Sequence, residues 1–216
     1  MHFVFPRIYP ILDAAFIPAK GRRQFLRDLG ASLADVGVTL LEYRNKAGSL
    51  AEITADCEIL REALPEEQVK LILDDRAELV ESIGFDGVHV DAGDVPVREA
   101  RRIVGPGRIV GTFAGSETLL PGILDEPADY FAIGPVFPTT TKQTERRPIG
   151  LEGVRRLRDA AGPDFILTAA AGITLETAPQ VIDAGANSVA VAAAIFGVSD
   201  PAAEFRRWQE KLQHYR

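Results

Sequence analysis

The chain has 216 residues, of which 46% are hydrophobic and 25% charged, and this balance excludes wholesale disorder. Its 24 basic and 31 acidic residues give a formal net charge of −7, which disfavours a general nucleic-acid-binding protein. No apolar run approaches the ~20 residues of a membrane-spanning helix. The single cysteine excludes an internal disulfide and favours a reducing compartment. We therefore expect one domain over residues 1–216, in the cytoplasm, with no nucleic-acid or membrane partner.

The chain alternates between short β-branched runs and longer stretches of helical period. Strands are predicted at 7–12, 39–44, 70–74, 87–90, 108–113, 129–134, 165–169 and 188–192. Helices are predicted at 20–36, 49–63, 76–83, 96–104, 116–124, 150–161, 175–184 and 200–213. Eight strand–helix pairs favour a single (β/α)8 TIM barrel. A doubly wound open sheet is the alternative, because alternation alone does not show that the sheet closes.

One predicted connection is longer than the others. Between Phe137 and Gly150 lie the irregular residues 138–149, whereas such strand-to-helix loops usually have about two to six residues. The loop follows the carboxyl end of the sixth predicted strand, where barrel enzymes carry their chemistry. We interpret it as a lid or binding loop, and a tolerated surface insertion is the alternative.

Charged side chains occupy alternate positions at the end of the second predicted strand. Glu42, Arg44 and Lys46 are two residues apart, so they share one face if the strand continues through them. Three charges that project together are costly unless they pair or meet a ligand. They could form a self-contained ion-pair cluster. Alternatively, Arg44 and Lys46 bind an anion, the first as a bidentate fork and the second as a point charge.

Two aspartates stand just past neighbouring predicted strands. Asp75 follows the third strand and Asp94 the fourth. Each could cap a helix, and Asp75 begins a D-x-x-E capping box. Paired carboxylates at adjacent strand ends also suit Mg²⁺, which prefers hard oxygen ligands and often bridges to a substrate phosphate. The nearby His89 is interpreted as a packed or hydrogen-bonded strand residue.

The last two predicted strands end in small residues, at 169–173 (AAAGI) and 192–197 (AAAIFG). Small side chains let a ligand approach backbone N–H groups, and the loops after these strands often bind phosphate in barrels. Tight packing of helix on strand would require small residues equally, so both interpretations stand.

The segment 128–142 (ADYFAIGPVFPTTTK), followed by 148–151 (PIGL), resembles the GP-aromatic-PTxTK segment of the thiamine-phosphate synthase family. Relatives of that family include the TenI-type thiazole tautomerases. Weaker similarities lie at 43–46, 74–76, 87–94 and 190–196, so the resemblance covers nearly the whole chain. It implies a barrel that joins hydroxymethylpyrimidine pyrophosphate to thiazole phosphate and releases pyrophosphate.

The same resemblance implies Mg²⁺ as cofactor, small phosphorylated substrates and a homodimer. The implied metal ligands are Asp75 and Asp94. The implied catalytic cations, which would neutralise the pyrophosphate, are Arg44, Lys46 and Lys142. The implied substrate-binding residues are Glu42 and Asp74 around the pyrimidine, Thr139 and Thr141 on phosphate oxygens, and Gly172, Ala193 and Ala194 on the thiazole phosphate. No protein nucleophile is required, because the metal and cations stabilise the leaving group.

The chain departs from the family pattern at several positions. Glu42 replaces a Gln, Asp74 an Asn and Gly115 a His. Further departures are Asp91, Ala92, Phe113, Ala171 and Ala193. An ionised carboxylate only accepts hydrogen bonds, so the two acids alter the donor–acceptor pattern around the pyrimidine. The alternatives are therefore a non-catalytic or regulatory phosphate-binding barrel, and a TenI-type tautomerase, which tends to lack the metal carboxylates.

Overall fold

The computed structural model describes residues 4–115, 120–139 and 147–215. Within these ranges eight parallel strands pair in chain order and close into a barrel. They are β1 (Ile8–Asp13), β2 (Leu40–Arg44), β3 (Lys70–Asp74), β4 (Gly87–Val90), β5 (Ile109–Gly115), β6 (Tyr130–Ile133), β7 (Leu167–Ala170) and β8 (Ser188–Val191). Ile8 of the first strand lies opposite Val189 of the last. This closure confirms the predicted (β/α)8 barrel and excludes the open sheet.

Helices connect most of the strands, and two more follow β8. They are α1 (Arg22–Asp35), α2 (Leu50–Ala63), α3 (Val97–Val104), α4 (Leu120–Leu124), α5 (Gly150–Ala161), α6 (Ala178–Asp183), α7 (Ala193–Phe196) and α8 (Pro201–Leu212). Local chemistry explains where they begin: Ser49 caps α2 by accepting from Glu52 N at 3.2 Å, and Asp200 caps α8 by accepting from Ala203 N at 2.9 Å. In the described ranges, no helix has the length and apolar character needed to cross a bilayer.

The predicted helix at 76–83 is wrong, because that stretch contains only a 3₁₀ turn at Ala77–Leu79. Asp75 has a φ of 75°, so the chain leaves β3 in a left-handed conformation. The short connection to β4 then closes with tight i→i+3 bonds, such as Leu79 N to Arg76 O at 3.0 Å. Helix α7 was not predicted, and residues 116–119 of the predicted helix at 116–124 lie outside the described residues.

Side chains of the strands alternate between the helix layer and the barrel interior. The interior holds its own cluster, which includes Tyr9, Leu40, Ile72 and Tyr130. The Tyr130 ring lies across Gly111 of β5, where a Cβ atom would come within 1.9 Å of the ring carbon Cζ. Glycine at 111 therefore makes room for the tyrosine that crosses the barrel.

The N-terminal ends of the strands are tied together by arginines. Arg101 of α3 donates to the carbonyls of Gly105 at 3.0 Å and Pro127 at 3.1 Å, and pairs with Asp129 at 2.5 Å. Asp129 also accepts from Val110 N at 2.7 Å. Among the described residues the arrangement occurs three times, and we call these groups the arginine clamps: Arg61–Asp86–Leu71, Arg101–Asp129–Val110 and Arg158–Asn187–Leu167. In each clamp, an arginine of a helix donates to the Asp or Asn that stands just before the second strand after that helix. The same Asp or Asn side chain accepts from a backbone N–H of the first strand after the helix.

Replacing Arg158 with methionine is expected to cost about 3 kcal/mol of unfolding free energy. The guanidinium donates to the carbonyls of Gly162, Phe165 and Gly185 at 2.5–3.0 Å, and these acceptors would lose their donor. Urea denaturation measures the loss. The control is Arg155→Met on the same helix, where an exposed ion pair with Glu152 is worth about 0–1 kcal/mol. Equal losses in the two variants would contradict a role for the clamp.

Candidate active site

A cavity of about 720 Å³ opens at the carboxyl ends of the strands. The predicted site residues that line it are Glu42, Arg44, Lys46, Asp74, Thr139, Gly172, Ala193 and Ala194. Asp75 and Asp94 adjoin it through Lys46, whose Nζ atom contacts Asp75 and lies 3.9 Å from Asp94. Thr141 and Lys142 lie outside the described residues, as does most of the predicted lid at 138–149. The structure thus brings every described site residue to one rim of the barrel.

β2 ends at Arg44, so the predicted strand does not continue through Lys46, but both cations still lie along one wall of the cavity. Arg44 forms ion pairs with Asp13 and with Asp74, the latter at 3.1 Å, and Lys46 lies 3.2 Å from Asp74. Burial by itself would lower the pKa of both cations, but the neighbouring acids outweigh it and the net direction is upward. Both cations therefore stay charged. Their side chains keep 25% and 35% of their surface exposed, so the ion-pair cluster leaves room for an anion.

Asp75 and Asp94 do not cap helices, so that alternative is wrong for both. The turn after β3 has Arg76 and helix α3 has Pro96 at the cap position, and neither cap makes a side-chain bond. Asp94 instead accepts from Asp91 N at 2.7 Å. Asp75 adopts its φ of 75° without being glycine, a costly conformation that typically persists at functional sites.

The carboxyl groups of Asp75 and Asp94 interact with each other. Burial, together with a hydrogen bond to Asp75, raises the pKa of Asp94 to about 6. Burial alone would raise the pKa of Asp75, but hydrogen bonds from Asp94 and Lys46 outweigh it and lower that pKa. Both carboxyl groups face the ammonium group of Lys46. Hard oxygen atoms arranged around a positive charge form a donor set that suits Mg²⁺.

The described residues contain no group of three or more His, Cys, Asp and Glu side chains that could hold a metal ion. Two carboxylates are nevertheless enough for Mg²⁺, which commonly binds one or two protein carboxylates and completes its shell with water and substrate phosphate. Asp75 and Asp94 therefore fit a magnesium ion that is held jointly by the protein and a diphosphate.

The opposite wall is built from small residues and exposed backbone. Ala171 and Gly172 have φ angles of 72° and 68°, so two successive residues turn left-handed after β7. A Cβ atom at Gly172 would lie 2.6 Å from Pro138 O, so only glycine fits beneath the loop that follows β6. Helix α7 begins at Ala193, and its first N–H groups have no partner within the helix. This wall can accept an anion through backbone N–H groups.

Tyr9, Tyr130 and His89 line the cavity and were not predicted as site residues. Tyr9 donates to Glu42 at 2.7 Å, and its hydroxyl lies 2.7 Å from that of Tyr130. The Tyr130 hydroxyl lies 3.0 Å from His89 Nδ1. Strand alternation could have indicated that Tyr9 points inward with Ile11. The contact between tyrosines of β1 and β6 depends on barrel geometry, which alternation does not reveal.

Comparisons with known proteins agree with this geometry. Residues 8–195 match the family model described as thiamine monophosphate synthase. A thiamine-phosphate synthase of Koribacter versatilis is 42% identical over 188 residues, which are 87% of this chain and 88% of the relative. One from Agrobacterium fabrum is 37% identical, covering 84% and 85%. The solved thiamine phosphate pyrophosphorylase of Pyrococcus furiosus superposes with a TM-score of 0.81 at 26% identity, covering 96% of this chain and 95% of that one. The chain therefore belongs to the thiamine monophosphate synthase family.

Proposed function

We propose that this chain is a magnesium-dependent thiamine-phosphate synthase. It would join hydroxymethylpyrimidine pyrophosphate to thiazole phosphate and release pyrophosphate. The observation that carries the proposal is the convergence of Arg44 and Lys46 with Asp75 and Asp94 at one rim of the cavity. The names of the relatives, which span most of the chain, support the same activity.

The reaction breaks the C–O bond between the pyrimidine methylene carbon and the pyrophosphate, and the bonding electrons leave with the oxygen. The thiazole nitrogen then donates its lone pair to the methylene carbon and forms the C–N bond. Negative charge grows on the departing pyrophosphate, so fixed cations aimed at it stabilise the transition state. Arg44 would supply such a cation from the end of β2 and Lys46 from the loop after it, and Lys142 would add a third from the long loop.

The remaining residues would bind and orient the substrates. Asp75 and Asp94 would hold Mg²⁺, which when bound acts as a Lewis acid toward the pyrophosphate oxygens. Thr139 and Thr141 would hydrogen-bond phosphate oxygens. On the opposite wall, the backbone at Gly172, Ala193 and Ala194 would hold the thiazole phosphate, so that the two substrates meet across the cavity.

The decisive experiment incubates the purified protein with both substrates and Mg²⁺ and follows thiamine phosphate and pyrophosphate. We expect both products in equal amounts, and neither after a chelator removes the metal. Binding of the substrates without turnover would instead support a non-catalytic or regulatory barrel. Metal-independent isomerisation of a thiazole tautomer would support a TenI-type enzyme, which the paired Asp75 and Asp94 disfavour.

A further inference from the structure

The guanidinium group of Arg44 lies between acidic side chains of the two neighbouring strands. In the register of β1 and β2 it stands opposite Asp13, the last residue of β1, and both side chains line the cavity. Asp13 Oδ2 accepts a hydrogen bond from Nη1 of Arg44. On the other side, Oδ2 of Asp74 in β3 lies 3.1 Å from Nε of Arg44.

The two acids hold Arg44 in different ways. Asp74 Oδ2 is buried and, among the described residues, has no partner in hydrogen-bonding geometry, so Asp74 attracts the guanidinium group without aligning it. Within the same residues, Asp13 is the one acceptor to which the Arg44 side chain donates a hydrogen bond. A hydrogen bond favours a nearly linear arrangement of donor, hydrogen and acceptor, whereas charge attraction alone depends little on direction. Asp13 therefore sets the direction of the guanidinium group.

The carboxylate of Asp13 is itself fixed by the backbone. Its Oδ1 atom accepts from Ala15 N at 2.9 Å and so caps the 3₁₀ turn at Ala14–Phe16 that follows β1. One carboxylate oxygen thus bonds to the backbone and the other to Arg44, and a rotation of the carboxylate would break both bonds. The turn after β1 therefore holds the acceptor that Arg44 meets.

The bond to Asp13 leaves most donors of Arg44 available. A guanidinium group has five N–H donors in a rigid fork, and Asp13 takes one of them, on Nη1. The other four have no hydrogen-bond acceptor in the part of the chain that the structure describes, and 25% of the side-chain surface is exposed. A phosphate accepts two parallel N–H groups of arginine in a bidentate contact. Arg44 can therefore bind an anion while it keeps its bond to Asp13.

We infer that Asp13 is a positioning residue for the diphosphate, because it fixes the direction in which Arg44 presents its remaining N–H groups to the leaving group. The inference rests on the proposed function and adds to it a residue that was not predicted as part of the site. Donors that are already aligned need no reorientation when charge develops on the departing oxygen, and such preorganisation stabilises the transition state. An unaligned arginine would instead lose rotamer freedom in every turnover.

The first test is a double-mutant cycle on kcat for thiamine phosphate formation. Asp13→Asn keeps an oxygen that can cap Ala15 but removes the charged acceptor of Arg44, and we expect kcat to fall about tenfold. In an Arg44→Ala background the same change should alter kcat less than about twofold, because a residue that acts through Arg44 has nothing left to position. An equal fall in both backgrounds, or no fall in the wild-type background, would overturn the inference.

The matched control is Asp200→Asn. Asp200 caps α8 by accepting from Ala203 N at 2.9 Å, the same distance that separates Asp13 Oδ1 from Ala15 N, but Asp200 is exposed and lies outside the cavity lining. This variant should keep the wild-type kcat. A fall as large as that of Asp13→Asn would show that the loss of a capping carboxylate suffices, and would contradict a role through Arg44.

The second test needs no substrate. Nuclear magnetic resonance of protein labelled with ¹⁵N-arginine reports the rotation of each guanidinium group about its C–N bonds. We expect separate Nη signals for Arg44, assigned by their loss in Arg44→Lys, which merge in Asp13→Asn and stay separate in Asp200→Asn. Merged signals in the wild type would overturn the inference, whatever the activity. Separate signals in a wild type that forms no thiamine phosphate would overturn the proposed function alone.

Discussion

Replacing Asp75 with asparagine is expected to lower the rate of thiamine phosphate formation by a factor of about 10²–10³. The amide keeps the shape of the side chain but removes one of two carboxylates proposed to hold Mg²⁺. A weakened site should be partly restored by excess metal, so the variant should require more Mg²⁺ for half-maximal rate. The measurement is a Mg²⁺ titration of pyrophosphate release at saturating substrates.

The control for Asp75→Asn is Asp164→Asn, which makes the same chemical change at an exposed position far from the opening of the cavity. It should leave both the rate and the Mg²⁺ requirement as in the wild type. Unfolding by urea is measured in parallel, because a structural role for Asp75 would lower stability without shifting the Mg²⁺ requirement. Lower stability with an unchanged Mg²⁺ requirement would contradict the proposal that Asp75 is a metal ligand.

Replacing Lys142 with alanine should slow turnover on the order of 100-fold, or ~3 kcal/mol of activation free energy, as is typical of one charge-stabilising group. Lys142 lies outside the described residues, so this prediction depends on the resemblance of 128–142 and on the chemistry of the leaving group. The effect should appear in kcat, because charge develops on the pyrophosphate mainly in the transition state. Single-turnover kinetics measure it.

The control for Lys142→Ala is Lys20→Ala, which removes an exposed lysine before α1 and should not affect turnover. A Lys142→Ala enzyme with unchanged kcat and unchanged KM would exclude the lysine from the site. A raised KM with unchanged kcat would show that it binds substrate and transition state equally, and that Arg44 and Lys46 alone stabilise the leaving group.

The barrel could be predicted from the sequence because its strands are short apolar runs buried on both faces, a pattern that few other folds share. The short connection from β3 to β4 could not be predicted from the sequence. Its residues have ordinary helical propensity, but the structure forms only a 3₁₀ turn there, at Ala77–Leu79. Propensity is a weak guide where tertiary contacts set the backbone.

The candidate site was predictable where its residues follow strand ends. Arg44 and Asp94 stand at the carboxyl ends of parallel strands, which meet at one rim in any closed barrel. The link from Tyr9 to Tyr130 was not predictable, since the residues are 121 positions apart and meet only because the interior is narrow. Nor could the sequence alone indicate that Glu42 is buried among groups that disfavour its charge.

The arginine clamps lie at the end of the barrel opposite the cavity, where Arg101 and its two counterparts grip the entries of the strands. The residues that hold the strands together are thus separate from the proposed catalytic residues. A substitution at the opening of the cavity should therefore leave the arginine clamps intact. The loops at the catalytic rim could therefore be replaced without removing a clamp. New loops between β6 and α5 could be selected to bind other heterocycles, while the arginine clamps hold the strands together at the opposite end of the barrel.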